Sequence, residues 1–163
     1  MRPLAELSSA SIETLLPHRQ PFLFLGHARV ESTSSISGCA IWATHHPILQ
    51  GHFPSNPVVP GACLVEAGAQ LAGLLISWRN QRETRREAGM GVLAGIQRAQ
   101  FVRQLLADEP LLTRTLYFTP SHSLHSRSKA RTCSPCVRRG SDFFPIRSAP
   151  LWSARRPAPI PSS

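Results

Sequence analysis

Two side chains in this sequence have the type and setting to move protons. His52 sits in the stretch Gln50-Gly51-His52-Phe53-Pro54-Ser55-Asn56-Pro57-Val58-Val59-Pro60-Gly61, where three prolines restrict the backbone. Glu66 is the only charged residue between Phe53 and Trp78, inside the apolar run Ala62–Trp78. A carboxyl in such a run needs a partner or a task. Imidazole titrates near neutrality and can take or give a proton during turnover. Apolar surroundings favour the uncharged form of a carboxyl, which suits a general acid. The Pro60-Gly61 step predicts a helix N-terminus beside the His52 loop, with free N–H groups able to hold a carbonyl oxygen as it becomes an enolate. Base, acid and oxyanion site together suit proton abstraction next to a carbonyl with loss of a β-leaving group. The competing reading of the same spacing is a packed loop histidine and a glutamate paired with an arginine.

The elements that must position these groups follow from hydrophobic patterning. Ile12, Leu15 and Leu16 have the spacing of a short amphipathic helix ended by Pro17. Phe22-Leu23-Phe24-Leu25 is an apolar run of strand length, extending towards Val30, and Ile36–Thr44 predicts a second strand after the turn-like Ser32–Ser35. Ala62–Trp78 is apolar nearly all round and predicts a buried helix. It approaches membrane-spanning length, but Glu66, Gln70 and its glycines favour a core helix over a span. The interleaved charges Arg79–Glu87 read as a solvated loop or frayed helix end. Gly91–Phe101 and Leu111–Phe118 predict a third and a fourth strand, with a turn at Asp108-Glu109-Pro110. Residues 1–10 read as a loose lead-in. Antiparallel strands with one long helix between them predict an α+β layer, the sheet wrapped on the helix.

Charge separates the chain into two parts. Of 163 residues, 1–120 carry 10 Lys+Arg and 8 Asp+Glu, whereas 121–163 carry 8 basic residues and the single acid Asp142. The formal net charge of +9 therefore belongs mostly to a tail. It is not a sign of specific nucleic-acid binding by the domain, and the tail's aromatics, Phe143, Phe144 and Trp152, are not interleaved with its basic residues as in single-strand binders. From Pro120 the chain turns to Ser, Arg and Pro with no hydrophobic period, so the expected organisation is a domain over 1–118 and a disordered tail over 119–163. Seventeen Arg against one Lys fit a GC-rich gene, in which a reading-frame slip produces such a shift. His122, His125, Cys133 and Cys136 form His-x2-His and Cys-x2-Cys pairs, but their connection is short and zinc is not expected. Cys39 and Cys63 read as small buried hydrophobes. With no apolar h-region after Arg2, the expected compartment is the cytoplasm.

Several motifs resemble one family in order. Gly51-His52-Phe53-Pro54, Pro57, Pro60-Gly61, Glu66 and Gln70 are similar to the signature of the 3-hydroxyacyl-ACP dehydratases of fatty-acid synthesis, FabZ type, with Glu66 fourteen positions after His52. Leu16-Pro17-His18-Arg19-Gln20-Pro21-Phe22-Leu23 resembles that family's opening motif, and Ala94-Gly95-Ile96 through Phe101 its third strand. The resemblance covers about residues 12–118. It implies a hot-dog fold working as a homodimer or an oligomer of dimers, with the histidine and the glutamate of each site coming from different subunits. It further implies that His52 takes the α-proton of a 3-hydroxyacyl thioester, that Glu66 protonates the departing hydroxyl, and that the Gly61 N–H holds the thioester carbonyl. Phe53, Pro54 and Gln70 would line the substrate site. Acyl carrier protein would deliver the substrate, and no metal or organic cofactor is implied. Departures are an acidic position replaced near Gly26 and His27, Leu106-Ala107-Asp108 where Pro-Gly-Asp is usual, and no alternating pattern after Pro120 for the family's two closing strands. The alternative is a hot-dog protein that binds or hydrolyses acyl thioesters without dehydrating them.

Overall fold

A computed structural model describes residues 2–83, 93, 95–96, 98–118, 123–130 and 144–147; for residues 117–118 and those beyond, it describes the backbone only. The order of elements is β1 (Ala5–Leu7), α1 (Ser9–Leu15), β2 (Leu25–Ser32), β3 (Ser35–Ala40), α2 (Pro47–Gln50), α3 (Gly61–Arg82), β4 (Leu111–Phe118), β5 (Ser123–Ala130) and β6 (Phe144–Arg147). The described strands form one antiparallel sheet in chain order, β1 through β6. The long helix α3 enters between β3 and β4 and packs on β2, β3, β4 and β5. This is the hot-dog arrangement.

The helix buries two successive cores. Leu71, Leu74, Leu75 and Trp78 on its C-terminal half pack with Ile12, Leu16, Leu23, Val30 and Ile36. Cys63, Leu64 and Ala67 on its N-terminal half pack with Phe24, Trp42, Leu49, Val59, Leu105 and Leu111. Glycine matters where the helix meets the sheet: a Cβ on Gly38 of β3 would stand 2.7 Å from Leu71 Cδ1 and 3.2 Å from the His27 carbonyl oxygen. The sheet's covered face is partly polar. Thr113 and Thr115 are buried, and the Thr115 hydroxyl donates to the Gly68 carbonyl at 3.5 Å. Although α3 has the length and hydropathy of a span, its buried residues are covered by α1 and the sheet, as in a core helix.

Four expectations need correction. Phe22–Phe24 precede β2 rather than forming it, because side chains take their backbone groups. The Gln70 amide oxygen accepts from the Phe24 N–H, its NH2 donates to the Phe22 carbonyl, and the Gln20 amide donates to the Leu23 carbonyl. The second strand stops at Ala40, after which the Trp42 carbonyl and Thr44 bond Asp108 instead of a neighbouring strand. The lead-in holds β1, an edge strand tied down by Leu4 N–H to the Val30 carbonyl at 2.7 Å and by Glu6 contacts to Arg29 and His27. Beyond residue 118, where no alternating pattern is legible and a disordered tail is expected, the described residues form β5 and β6. Ladder bonds are made by backbone groups, so a Ser- and Arg-rich segment following β4 can extend the sheet without an apolar pattern. Of the third expected strand, Leu93, Gly95, Ile96 and residues 98–101 are described, with an isolated bridge at Arg98 and no named strand. Its other residues, residues 84–87 of the charge run, and His122, Cys133 and Cys136 lie outside the described residues.

Candidate active site

The His52 loop is built between α2 and α3. Its entry is fixed by the His52 N–H to the Leu49 carbonyl and its turn by the Asn56 N–H to the Phe53 carbonyl, at 3.2 and 2.8 Å. Its exit pairs with residues 105–107: the Val59 N–H donates to the Leu105 carbonyl at 2.8 Å, and Val58 bridges Leu106. Phe53 has φ 58°, a left-handed conformation that non-glycine residues seldom adopt. Its ring lies 4.2 Å from the imidazole centroid and is 62% exposed, and Pro54 is exposed beside it.

His52 is half-buried, with Nδ1 2.7 Å from the Val58 carbonyl oxygen. A carbonyl only accepts, so Nδ1 carries the hydrogen and donates. In neutral imidazole that leaves the lone pair on Nε2, and the loop thus holds the ring as a base at a defined atom.

Gly61 opens α3 behind Pro60, which offers no side-chain cap. The Cys63 N–H bonds the Pro60 carbonyl at 2.9 Å, and the helix dipole favours negative charge at this end. A side chain at Gly61 would meet the Phe101 ring, 2.9 Å from a built Cβ.

Glu66 lies one turn further along, on α3, with its side chain 23% exposed. The competing arginine pairing does not occur among the described residues. Instead the Gln70 NH2 donates to Glu66 Oε1 at 3.0 Å, and His18 Nε2 faces the same oxygen at 3.4 Å. Gln70 is 1% exposed, and its amide is fully engaged by Glu66, Phe22 and Phe24. Gln70 thus joins the segment after α1 to the helix that carries Glu66. His18 is the residue this arrangement adds. Its only sequence signal was membership of the Leu16–Leu23 motif. Burial, and then the nearby Glu66 charge, push the Cys63 thiol up from its ordinary range.

Within one chain, His52 and Glu66 have separate partners and share no hydrogen bond among the described residues. Of the exposed large apolar residues, Phe53 lies in the His52 loop, Leu106 pairs with that loop's exit and Phe22 is bonded by Gln70. No group of three or more metal-ligating side chains occurs among the described residues.

Residues 16–127 match the family model of the FabA-like domain. The chain belongs to the FabA-like family. Among curated relatives in that group, it is 35% identical over 105 residues to a 3-hydroxyacyl-[acyl-carrier-protein] dehydratase FabZ of Acinetobacter baumannii, covering 64% of this chain and 71% of the relative. It is 34% identical over 107 residues to the FabZ of Alkaliphilus metalliredigens, covering 65% and 70%. In fold, it is similar to a chain of the dehydratase heterocomplex ApeI:P from Xenorhabdus doucetiae, with a TM-score of 0.63 at 16% identity over 83% of this chain and 85% of the other. The FabA-like match runs from Leu16 into β5, so it includes the His18 segment, the His52 loop, all of α3 and β4.

Proposed function

We propose that this chain removes water from 3-hydroxyacyl thioesters of acyl carrier protein, giving trans-2-enoyl thioesters in fatty-acid or related acyl-chain synthesis. The observation that carries the reading is the imidazole of His52, fixed by Val58 so that Nε2 keeps its lone pair, in a FabA-like chain whose FabZ relatives are dehydratases.

In the proposed reaction, His52 Nε2 takes the proton from the carbon next to the thioester carbonyl. Negative charge moves onto the carbonyl oxygen, where the Gly61 N–H and the α3 dipole stabilise it. The bond from the β-carbon to its hydroxyl breaks, Glu66 supplies the proton, and water leaves. Histidinium and carboxylate then exchange a proton with solvent to restore the starting forms. Phe53 and Pro54 line the entrance.

The site is completed by a second copy of the chain, His52 from one and Glu66 from the other. Their separate partners within one chain support this reading, as does exposed apolar surface near the His52 loop that a partner would cover. The expected setting is the cytoplasm, where acyl carrier protein presents the substrate.

The test is turnover of a short 3-hydroxyacyl-ACP by the full chain, followed by mass spectrometry, with His52→Ala and Glu66→Gln as controls. Loss of one water in the wild type and in neither variant supports the reading. Release of free acid instead of enoyl product, or turnover surviving His52→Ala, overturns it.

A further inference from the structure

His18 is a half-buried polar side chain that the proposed reaction leaves unused. Its side chain is 30% exposed, Nε2 faces Glu66 Oε1 at 3.4 Å, and Nδ1 is buried with no partner among the described residues. A hydrogen on Nδ1 would find no acceptor there, and Nε2 is the nitrogen placed to point its N–H towards Glu66. Gln70 is fixed in a similar sense. Its oxygen is held by the Phe24 N–H, so its NH2 must face Glu66 Oε1 and the Phe22 carbonyl. Two nitrogen donors therefore converge on Oε1, whereas Oε2 has no partner among the described residues.

We propose that His18 is a positioning residue for Glu66: with Gln70 it occupies Oε1 by N–H groups, so that the acid carries and delivers its proton from Oε2. The inference rests on the proposed dehydration. In that step the Oε2–H bond breaks and its proton joins the departing hydroxyl. The β-carbon–oxygen bond breaks, the double bond forms from the electrons of the α-carbon–hydrogen bond, and the α-proton ends on His52 Nε2. Among the described residues, the other titratable group near Glu66 is Cys63, on α3 itself. Arg19 turns its guanidinium to the Leu16 and His18 carbonyls rather than to the carboxyl.

The test compares His18→Leu, His18→Asn and His18→Gln in the full chain by kcat and KM across pH, with thermal midpoints. Glutamine carries an amide donor to the place of Nε2, asparagine ends near Nδ1, and leucine carries no donor. Leucine and asparagine are expected to lower kcat about tenfold or more at nearly constant KM, as misplacement of a reacting group does. They should also move the alkaline limb of kcat to higher pH, because losing a donor favours the protonated carboxyl. Glutamine should restore most of both. A packing role alone would alter the thermal midpoint without moving the limb.

If leucine does not fold, the asparagine–glutamine contrast decides. Wild-type kcat and an unmoved limb in leucine or asparagine, or glutamine as slow as asparagine at equal thermal midpoint, overturns the proposal. Glu66→Gln separates the two levels. Loss of its turnover beside normal His18 variants defeats this inference alone, whereas wild-type turnover in Glu66→Gln defeats the reading of Glu66 and this inference together.

Discussion

Replacing Gln70 with leucine tests the join between the acid's helix and the segment after α1. The side chain is 1% exposed, and leucine has a similar volume, so the change removes hydrogen bonds with little cavity. The Phe24 N–H, on a residue 4% exposed, loses an acceptor at 3.0 Å with no access to water. The Phe22 carbonyl loses a donor at 2.8 Å, but Phe22 is 51% exposed and its carbonyl can be rehydrated. One buried orphan donor costs about 1–3 kcal/mol, and the rehydrated carbonyl adds little, so about 2 kcal/mol of stability should be lost. In urea at fixed protein concentration, that corresponds to a midpoint lower by about 1 M at unchanged slope. Gln70→Glu keeps the acceptor for Phe24 but sets a charge against Glu66 and the Phe22 carbonyl, so its deficit should shrink on acidification. A Gln70→Leu midpoint within about 0.2 M of wild type would refute the reasoning, because the amide would then not be satisfying buried backbone groups.

Further predictions concern sites away from the reacting atoms. Gly38→Ala should destabilise by about 1–3 kcal/mol in the same assay, because its Cβ meets both Leu71 and the His27 carbonyl. An unchanged midpoint would mean that α3 can retreat from β3. Arg103 hydrogen-bonds Glu109 and holds its carboxyl below the usual glutamate range. A lowered value stabilises the fold above the ordinary glutamate value of about 4.3, and that stability is lost as pH falls through the folded value. Glu109→Gln should therefore lower the thermal midpoint at neutral pH, and the difference should shrink as the pH falls below the ordinary glutamate range. The Cys63 thiol, buried and pushed up by burial and by Glu66, should react with iodoacetamide more slowly than the half-buried Cys39. Mass mapping of the labelled peptides measures the ratio, and faster labelling at Cys63 would contradict its placement.

Some of this architecture was legible from side-chain pattern. The apolar run Ala62–Trp78 marked α3, because a helix apolar nearly all round belongs in a core, and the alternation from Leu111 marked β4, whose alternate residues Leu111, Thr113 and Thr115 are buried. The proline-rich loop marked the place of His52. Pattern failed where backbone groups find partners that a period cannot reveal. Phe22–Phe24 look like a strand, but their carbonyl and N–H groups bond Gln70, 46 and 48 residues away. Strands β5 and β6 lack apolar alternation, yet pair through their backbones. The partners of Glu66 were hidden for a related reason: its neighbour at Gln70 is local on the helix, whereas His18 arrives through the packing of α1 and its following loop on α3. The left-handed Asp108, bonded through its carboxylate to Thr44, holds the turn into β4 despite the changed residues before it.

Complementation between two inactive variants tests most directly whether His52 and Glu66 act on one substrate. His52→Ala and Glu66→Gln proteins are each inactive in the proposed reaction. Unfolded together and refolded in equal amounts, half of the dimers should be mixed. In each mixed dimer, one site receives both changes and the other receives an intact His52 and an intact Glu66. For a two-fold dimer with shared sites, turnover should return to about a quarter of wild type. No recovery, in a mixture shown to contain mixed dimers, would contradict a site shared between copies; full activity in either variant alone would contradict the chemistry assigned to that residue.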